Sequence, residues 1–304
     1  MRTIALSAPT TADIHRQVEK VLRGLGDPEP PLRLEDVRDL LRLDRGYYAS
    51  NDDGAIRETV SRMIVAGRQI IERPTLLFDA IRKFSLRALY IPDRKRILLD
   101  RSEPEIRQRW NEAHEIGHSL LPWHEDLMLG DTEHSLRPQC HDQMEAEANY
   151  AAGQLLFLRA RFTTAANDAA PTIESVRRLK SDFGNSMTTT FWRYVENAHD
   201  GLPMIGLIGP HPRRSRPAGA DPFRHIIESP MFRQRFEPVS PAVMSAIVES
   251  YCGRQRGGQL GASEVVLTDR NGDDHLFLFE SFFNTFDCLT LAVHRGPHRR
   301  VVGF

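Results

Sequence analysis

Two histidines four residues apart, with a glutamate beside the first, carry the strongest chemical signal in this chain: His114-Glu115-Ile116-Gly117-His118. On a helix, positions i and i+4 share a face, so both imidazoles can grip one Zn²⁺ while Glu115 projects beside them as a base. The preceding residues, Arg107 to Ala113, read as helix. A zinc site of this kind needs a third protein ligand and one position left to water. The candidates are Glu145 and Glu147. Glu145 shares a helical face with Ala148, Asn149, Ala152 and Leu155, a small-residue stripe that lets one helix lie close to another. Glu147 falls with Ala151, Gln154 and Leu158 and is expected to face solvent. Glu145 is therefore the expected third ligand, and Asn149, one turn on, is placed to hydrogen-bond a ligand. Cys140 lies five residues before Glu145. A thiolate there is the candidate inhibitory ligand, filling the position water would take.

The chemistry of such a set is hydrolysis. Zn²⁺ acidifies water, Glu115 accepts the proton, and the same carboxylate returns it to a leaving amine. Tyr150, Tyr194, His124, His134 and His141 are unranked candidates for stabilising the oxyanion.

Helices and a hairpin must position these groups. Helical spacing predicts helices over 13–25, 34–41, 55–71 and 74–84. Leu86 to Ile91 and Arg96 to Leu99 flank Pro92-Asp93-Arg94 and read as a β-hairpin just before the metal helix. Its edge can offer backbone groups to an extended peptide. The metal helix is expected over 104–121 with Ser102 as its N-cap and Pro122 as its stop. A polar loop, 123–139, leads to a helix over 142–157, and a pair follows at 171–183 and 186–198. That pair has helix-turn-helix spacing, but its second helix lacks a basic face. Beyond Leu202 the period changes, with strands near 204–208, 265–267, 275–279 and 288–293, an Asn271-Gly272 hairpin turn, and helices near 230–236 and 241–251.

The chain has 304 residues, 40% hydrophobic and 27% charged, with a net charge of −1. That suffices for two domains and gives no global pull toward nucleic acid or membrane. Three scattered cysteines argue against a disulfide framework and for a reducing cytoplasm. No apolar run approaches a bilayer span.

Ala113-His114-Glu115-Ile116-Gly117-His118, followed by Glu145-Ala146-Glu147-Ala148-Asn149-Tyr150-Ala151-Ala152 and Leu155-Leu156, resembles the ImmA/IrrE family of zinc metallopeptidases. The preceding hairpin and Ser186 to Tyr194 are similar to that family too. Gln154 and Phe157-Leu158 depart from it, where members often have an acidic residue and a methionine-proline pair. By position the resemblance implies zinc ligands at His114, His118 and Glu145 and a catalytic Glu115. It also implies a substrate, a helix-turn-helix repressor whose cleavage derepresses a stress, mobile-element or defence response.

The expected fold class is α+β. A helical zincin-like metallopeptidase domain with a small β-hairpin or sheet occupies 1–201, with its core at 86–198 and N-terminal helices at 12–84. A smaller α+β module at 202–304, GAF-like by the resemblance, stands as a sensor. Within it, Arg213-Arg214-Ser215-Arg216, Arg295, Arg299 and Arg300 with Phe282, Phe283 and Phe286 suit single-stranded nucleic acid. A solvated loop over core phenylalanines is the plainer reading, and a small-molecule signal such as a nucleotide is equally open. The alternative for the whole chain is a non-catalytic zinc-containing sensor or transcription regulator that acts by binding. Glu115 argues against it, because a purely structural site has no need of a carboxylate between its ligands.

Overall fold

The computed structural model describes residues 6–48, 88–91, 95–124, 138–215, 217 and 219–298. The expected helices at 55–71 and 74–84 lie outside the described residues, as do most of the 123–139 loop, His134, Arg216, Arg299 and Arg300. The side chains of Cys140 and His141 are also outside them. No described helix is long and apolar enough to cross a membrane.

The chain divides into two compact units, Met1–Arg159 and Ala160–Phe304. The first begins with helix α1 (Ala8–Gly24), capped by the Ser7 side chain, and helix α2 (Leu34–Leu41). Strand β1 (Asp44–Tyr48) pairs in parallel with β3 (Arg96–Asp100), and β2 (Ala88–Ile91) pairs antiparallel with β3. Among the described residues the sheet order is β1-β3-β2, which leaves β2 at an edge. The 86–99 hairpin therefore gains a third strand, from residues whose Asp-Arg-Gly-Tyr-Tyr sequence carries no apolar alternation.

Helix α3 (Glu105–Leu120) packs on β2 and β3, and α4 (Pro138–Leu156) packs on α3. Ser102 is not the N-cap of α3. Pro104 holds that position without a side-chain bond, and Ser102 donates its hydroxyl and its backbone N–H to Asp100. The two helices approach closely where a Cβ on Gly117 would stand 2.6 Å from the Ala148 carbonyl oxygen. Ala148, Ala151 and Ala152 are fully buried, so the small-residue stripe of α4 is the contact surface. Behind the helix, buried Glu112 pairs with Arg38 at 2.6 Å and Arg45 at 3.4 Å, tying α3 to α2 and β1.

The second unit opens with α5 (Ala160–Asn167), α6 (Ile173–Phe183) and α7 (Met187–Asn197). Gly184 ends α6 in a left-handed conformation, and Ser186 caps α7. A five-stranded antiparallel sheet follows in the order β5-β4-β8-β7-β6. Its strands are β4 (Met204–Gly209), β5 (His225–Glu228), β6 (Gly258–Thr268), β7 (Asp274–Phe283) and β8 (Cys288–Pro297). Helices α8 (Pro230–Arg235) and α9 (Pro241–Tyr251) supply Phe232, Met244 and Val248 to a core shared with Ile205, Leu207, Phe277 and Phe279. On Gly206 a Cβ would meet Phe191 and Val195 of α7 at 2.8 and 2.9 Å, so α7 lies flat on β4. This contact groups α5–α7 with the sheet and sets the division of compact units at 159/160, whereas the compositional shift falls near 202.

Two glycine substitutions on the paired helices should act with opposite signs. Gly117→Ala drives a methyl into the Ala148 carbonyl and should lower stability by about 1–3 kcal/mol. Gly153→Ala meets nothing within 4 Å in α4 and should raise it by roughly 0.5–1 kcal/mol. Urea denaturation measures both, and shifts of the same sign would contradict this packing.

Candidate metal centre

The cluster is built by one helix presenting a pair and its neighbour presenting a single group. His114 and His118 sit one turn apart on α3, and Glu145 comes from α4. The Nε2 atoms of the two histidines are 3.2 Å apart. Glu145 places Oε2 3.2 Å from His114 Nε2 and Oε1 3.5 Å from His118 Nε2. A tetrahedron drawn with metal–ligand bonds of ~2.0 Å has edges of roughly 3.3 Å. The Nε2–Nε2 separation and the nearest approach of the carboxylate to each ring, made through different oxygens, are close to those edges, and one ligand atom from each residue lies within 4.8 Å of the others, so the group can hold a metal ion. Two neutral imidazoles and one carboxylate are a donor set suited to zinc.

Each histidine is held from its far side. Asn149, one turn after Glu145, lies with Oδ1 3.1 Å from His114 Nδ1, which must carry a proton to donate to it. That leaves His114 Nε2 with its lone pair toward the cluster. His118 Nδ1 lies 3.0 Å from Nδ1 of the fully buried His124. His124 Nε2 in turn lies 2.9 Å from Glu147 Oε2. Glu147 is not solvated, as its helical face suggested, but 6% exposed. Its carboxylate accepts from Trp123 Nε1 at 2.6 Å and Gln143 Nε2 at 2.8 Å besides meeting His124. With His124 Nε2–H donating to Glu147, His124 Nδ1 is an acceptor for His118 Nδ1–H, which frees His118 Nε2 for a ligand role. This chain of contacts came from no sequence motif. The signal available was the spacing of His118, Trp123 and His124 around the end of α3.

Electrostatics follow burial and contact. Burial alone pushes the Glu145 carboxyl up, but hydrogen bonds and charge from both histidines hold it well below the usual carboxylate range. Burial pushes His114 down, while Glu145, Glu115 and Asn149 together raise it above its ordinary value. His124 is pushed down to about 4, chiefly by burial. Glu147 is held low by its three hydrogen-bond partners against the effect of burial. Glu115 is 7% exposed and is pushed up to about 7, first by burial and then by the charge of Glu145. The His114 charge and a hydrogen bond from the Tyr90 backbone on β2 act the other way. A carboxyl balanced near neutral pH can both take and return a proton.

The remaining expected residues are placed as follows. Cys140 belongs to α4 itself rather than to the loop before it. Five helical residues span about 140° around the axis, so position 140 is on a different face from Glu145. Tyr150 shares its hydroxyl with His15 at 2.8 Å, and Tyr194, in the second unit, with His199 at 3.0 Å.

Residues 70–190 match the Peptidase_M78 family model, the IrrE N-terminal-like domain. The matched segment is under half of the chain and contains α3, α4, and every residue of the His114, His118 and Glu145 cluster. No curated protein matches the chain. A solved structure, a Mycobacterium tuberculosis transcriptional regulator, is similar with a TM-score of 0.49 and 11% identity, covering 95% of this chain and 88% of that one. Likeness at that level carries no argument about function.

The side contacts of the cluster make two predictions. Glu147→Gln should leave the helices intact by circular dichroism yet weaken zinc binding about 10–100-fold in chelator competition, because His124 and then His118 lose their orientation. In the metal-free protein, His124 takes up its proton near pH 4 when folded and near ~6.5 when unfolded. The unfolded chain therefore binds that proton first, and stability falls as pH drops from ~6.5 toward 4. The depressed Glu145 and Glu147 add a loss that sets in below roughly pH 4.5, while the raised His114 works in the opposite sense. Urea midpoints of the wild type and His124→Asn, compared over this range, isolate the His124 share. A constant difference between them would remove it.

Proposed function

We propose that this chain is a zinc-dependent endopeptidase of the cytoplasm whose substrate is a helix-turn-helix transcriptional repressor, so that cleavage derepresses a response. The observation that carries the reading is the meeting of two imidazoles and a carboxylate, with ligand atoms within 4.8 Å of one another, beside a buried glutamate. The match of the surrounding segment to a peptidase family supports it. In the proposal His114, His118 and Glu145 hold the zinc, Asn149 and His124 orient the two imidazoles, and Glu115 is the catalytic base. When bound, zinc supplies Lewis acidity toward water and toward a peptide carbonyl. Glu115 accepts a proton from the attacking water and delivers it to the departing amine. Its burial against β2 keeps the proton from bulk solvent, and the edge position of β2 gives an extended peptide a strand to pair with. The second unit, a helix-covered antiparallel sheet, is in this reading the GAF-like sensor part.

The test is proteolysis of the helix-turn-helix repressor encoded beside this chain, followed by electrophoresis and metal analysis. Glu115→Gln should retain zinc and lose cleavage by about 10²–10⁴-fold. Glu145→Ala should lose both. Full cleavage by Glu115→Gln would refute the assigned role, and zinc retained without any cleavage of the repressor by the wild type would favour a binding protein. The same assay tests an inhibitory contact from Cys140. A rise in basal cleavage in Cys140→Ala supports that contact, and unchanged cleavage removes it.

A further inference from the structure

The second unit carries a concentration of unpaired positive charge that the metal centre does not explain. Strand register puts Gly209 opposite Cys288 and Gly258 opposite Phe283. The connection after β4, the connection from α9 to β6 and the turn from β7 to β8 therefore leave the sheet at one end. Arg213 and Arg214 come from the first, Arg254 and Arg256 from the second. With His211 and Phe283 they line a cleft of about 670 Å³. No acidic residue occurs in 210–220 or in 250–263. Asp287, in the turn at this end, is already paired with Arg224. Among the described residues none of the four arginines forms an ion pair with a carboxylate.

The cleft is held in shape by its own contacts. His211 Nδ1 accepts from the Arg213 backbone N–H at 3.1 Å, so its Nε2 carries the proton and donates to the Gln255 carbonyl at 2.9 Å. That ring staples the two arginine loops together and packs edge-on against Phe283, with centroids 4.8 Å apart. Arg213 Nε donates to the Cys252 carbonyl at 3.1 Å, which fixes the first loop to the end of α9. Gathering four guanidinium groups without a counter-charge costs repulsion, and a pre-shaped cleft with that cost is complementary to a multivalent anion. Arginine's planar fork suits phosphate oxygens, which it can engage in pairs.

We propose that this cleft binds a small ligand bearing a chain of two or more phosphates, with the four arginines on the phosphate oxygens and the His211–Phe283 wall beside the remainder of the molecule. The size of the cleft falls within the range of small-ligand sites, roughly 300–1,000 Å³. A single-stranded nucleic acid needs a basic groove that tracks its backbone. Among the described residues none extends from here. Arg295 lies near the far end of β8, on the opposite side of the sheet's length from Arg213, and Phe282 is covered by Arg177 at 5.1 Å. The proposal does not depend on the metal centre.

Calorimetric titration of the full chain at low salt tests it, with ATP, inorganic triphosphate, inorganic phosphate, sulfate at matched ionic strength, and a labelled oligothymidine. ATP and triphosphate should bind with one-to-one stoichiometry, each about tenfold or more tighter than phosphate or sulfate. ATP above triphosphate marks a nucleotide as the source of the phosphate chain, and equal affinities mark a free polyphosphate. The double substitution Arg254→Ala with Arg256→Ala removes two exposed side chains and should lower both affinities about tenfold or more with unchanged thermal unfolding, while Arg295→Ala should leave them unaltered. The proposal is overturned by three results: no triphosphate binding, wild-type affinity in the double variant, or oligothymidine binding that exceeds ATP and grows with strand length.

Discussion

The first unit depends on how closely α3 can approach α4. A helix pair separated by ordinary side chains would leave Glu145 too far from two imidazoles on the facing helix to close a set of ligand atoms about 3 Å apart. Gly117, inside the histidine motif itself, removes the Cβ that would strike the Ala148 carbonyl. Ala148, Ala151 and Ala152 remove bulk from the other side. The same glycine costs helix propensity, and the burial of the interface offsets that loss. Packing and chemistry are thus one constraint: position 117, just before His118, is a glycine where the helix bearing the Glu145 carboxylate crosses closest.

Polar groups brought into such an interface have to be satisfied, and the way they are satisfied sets their protonation. Glu147 shows this most clearly. A carboxylate that is nearly buried would be pushed toward its neutral form, yet three donors from Trp123, Gln143 and His124 hold it as an anion. Its charge and its acceptor oxygen decide the tautomer of His124, which decides that of His118. Glu115 is displaced upward by burial and by the charge of Glu145, against the His114 charge and a hydrogen bond from the Tyr90 backbone. The two glutamates are therefore shifted in opposite directions: desolvation prevails at Glu115, and three donors outweigh it at Glu147.

The positions of His114, His118 and Glu145 were legible because they repeat with helical period and because a small-residue stripe accompanies Glu145. Helices and strands with clear apolar periodicity, such as α1, α6, β4 and β7, were legible for the same reason. Glu147 was not. Its helical face suggested solvent, and the partners that bury it, Trp123 and His124, come from the chain beyond α3, which no period connects to α4. Strand β1 was hidden in Asp44-Arg45-Gly46-Tyr47-Tyr48, where pairing with β3 overrides a sequence with no alternation. The N-terminus of α3 was misread because Ser102 has the right chemistry for a cap but spends its hydroxyl on Asp100. Glu147 and β1 were redirected by partners distant in sequence, and Ser102 by a carboxylate two residues away.

The arginine cleft makes the same point from the opposite side. Composition grouped Arg213 and Arg214 with Arg295, which antiparallel pairing sends to the other end of the sheet. It passed over Arg254 and Arg256, some forty residues away, which the register of β6 with β7 brings alongside. A charge patch on a sheet belongs to a strand end, and which loops share that end is fixed by strand order and direction. Here the order β4-β8-β7-β6 with alternating direction delivers three connections to one edge. The core beneath them, Phe277 and Phe279 against Phe232 and Met244, is apolar and continuous, so the charge has to reside in the loops. Sheet topology, more than local composition, therefore determines where this unit presents its cations.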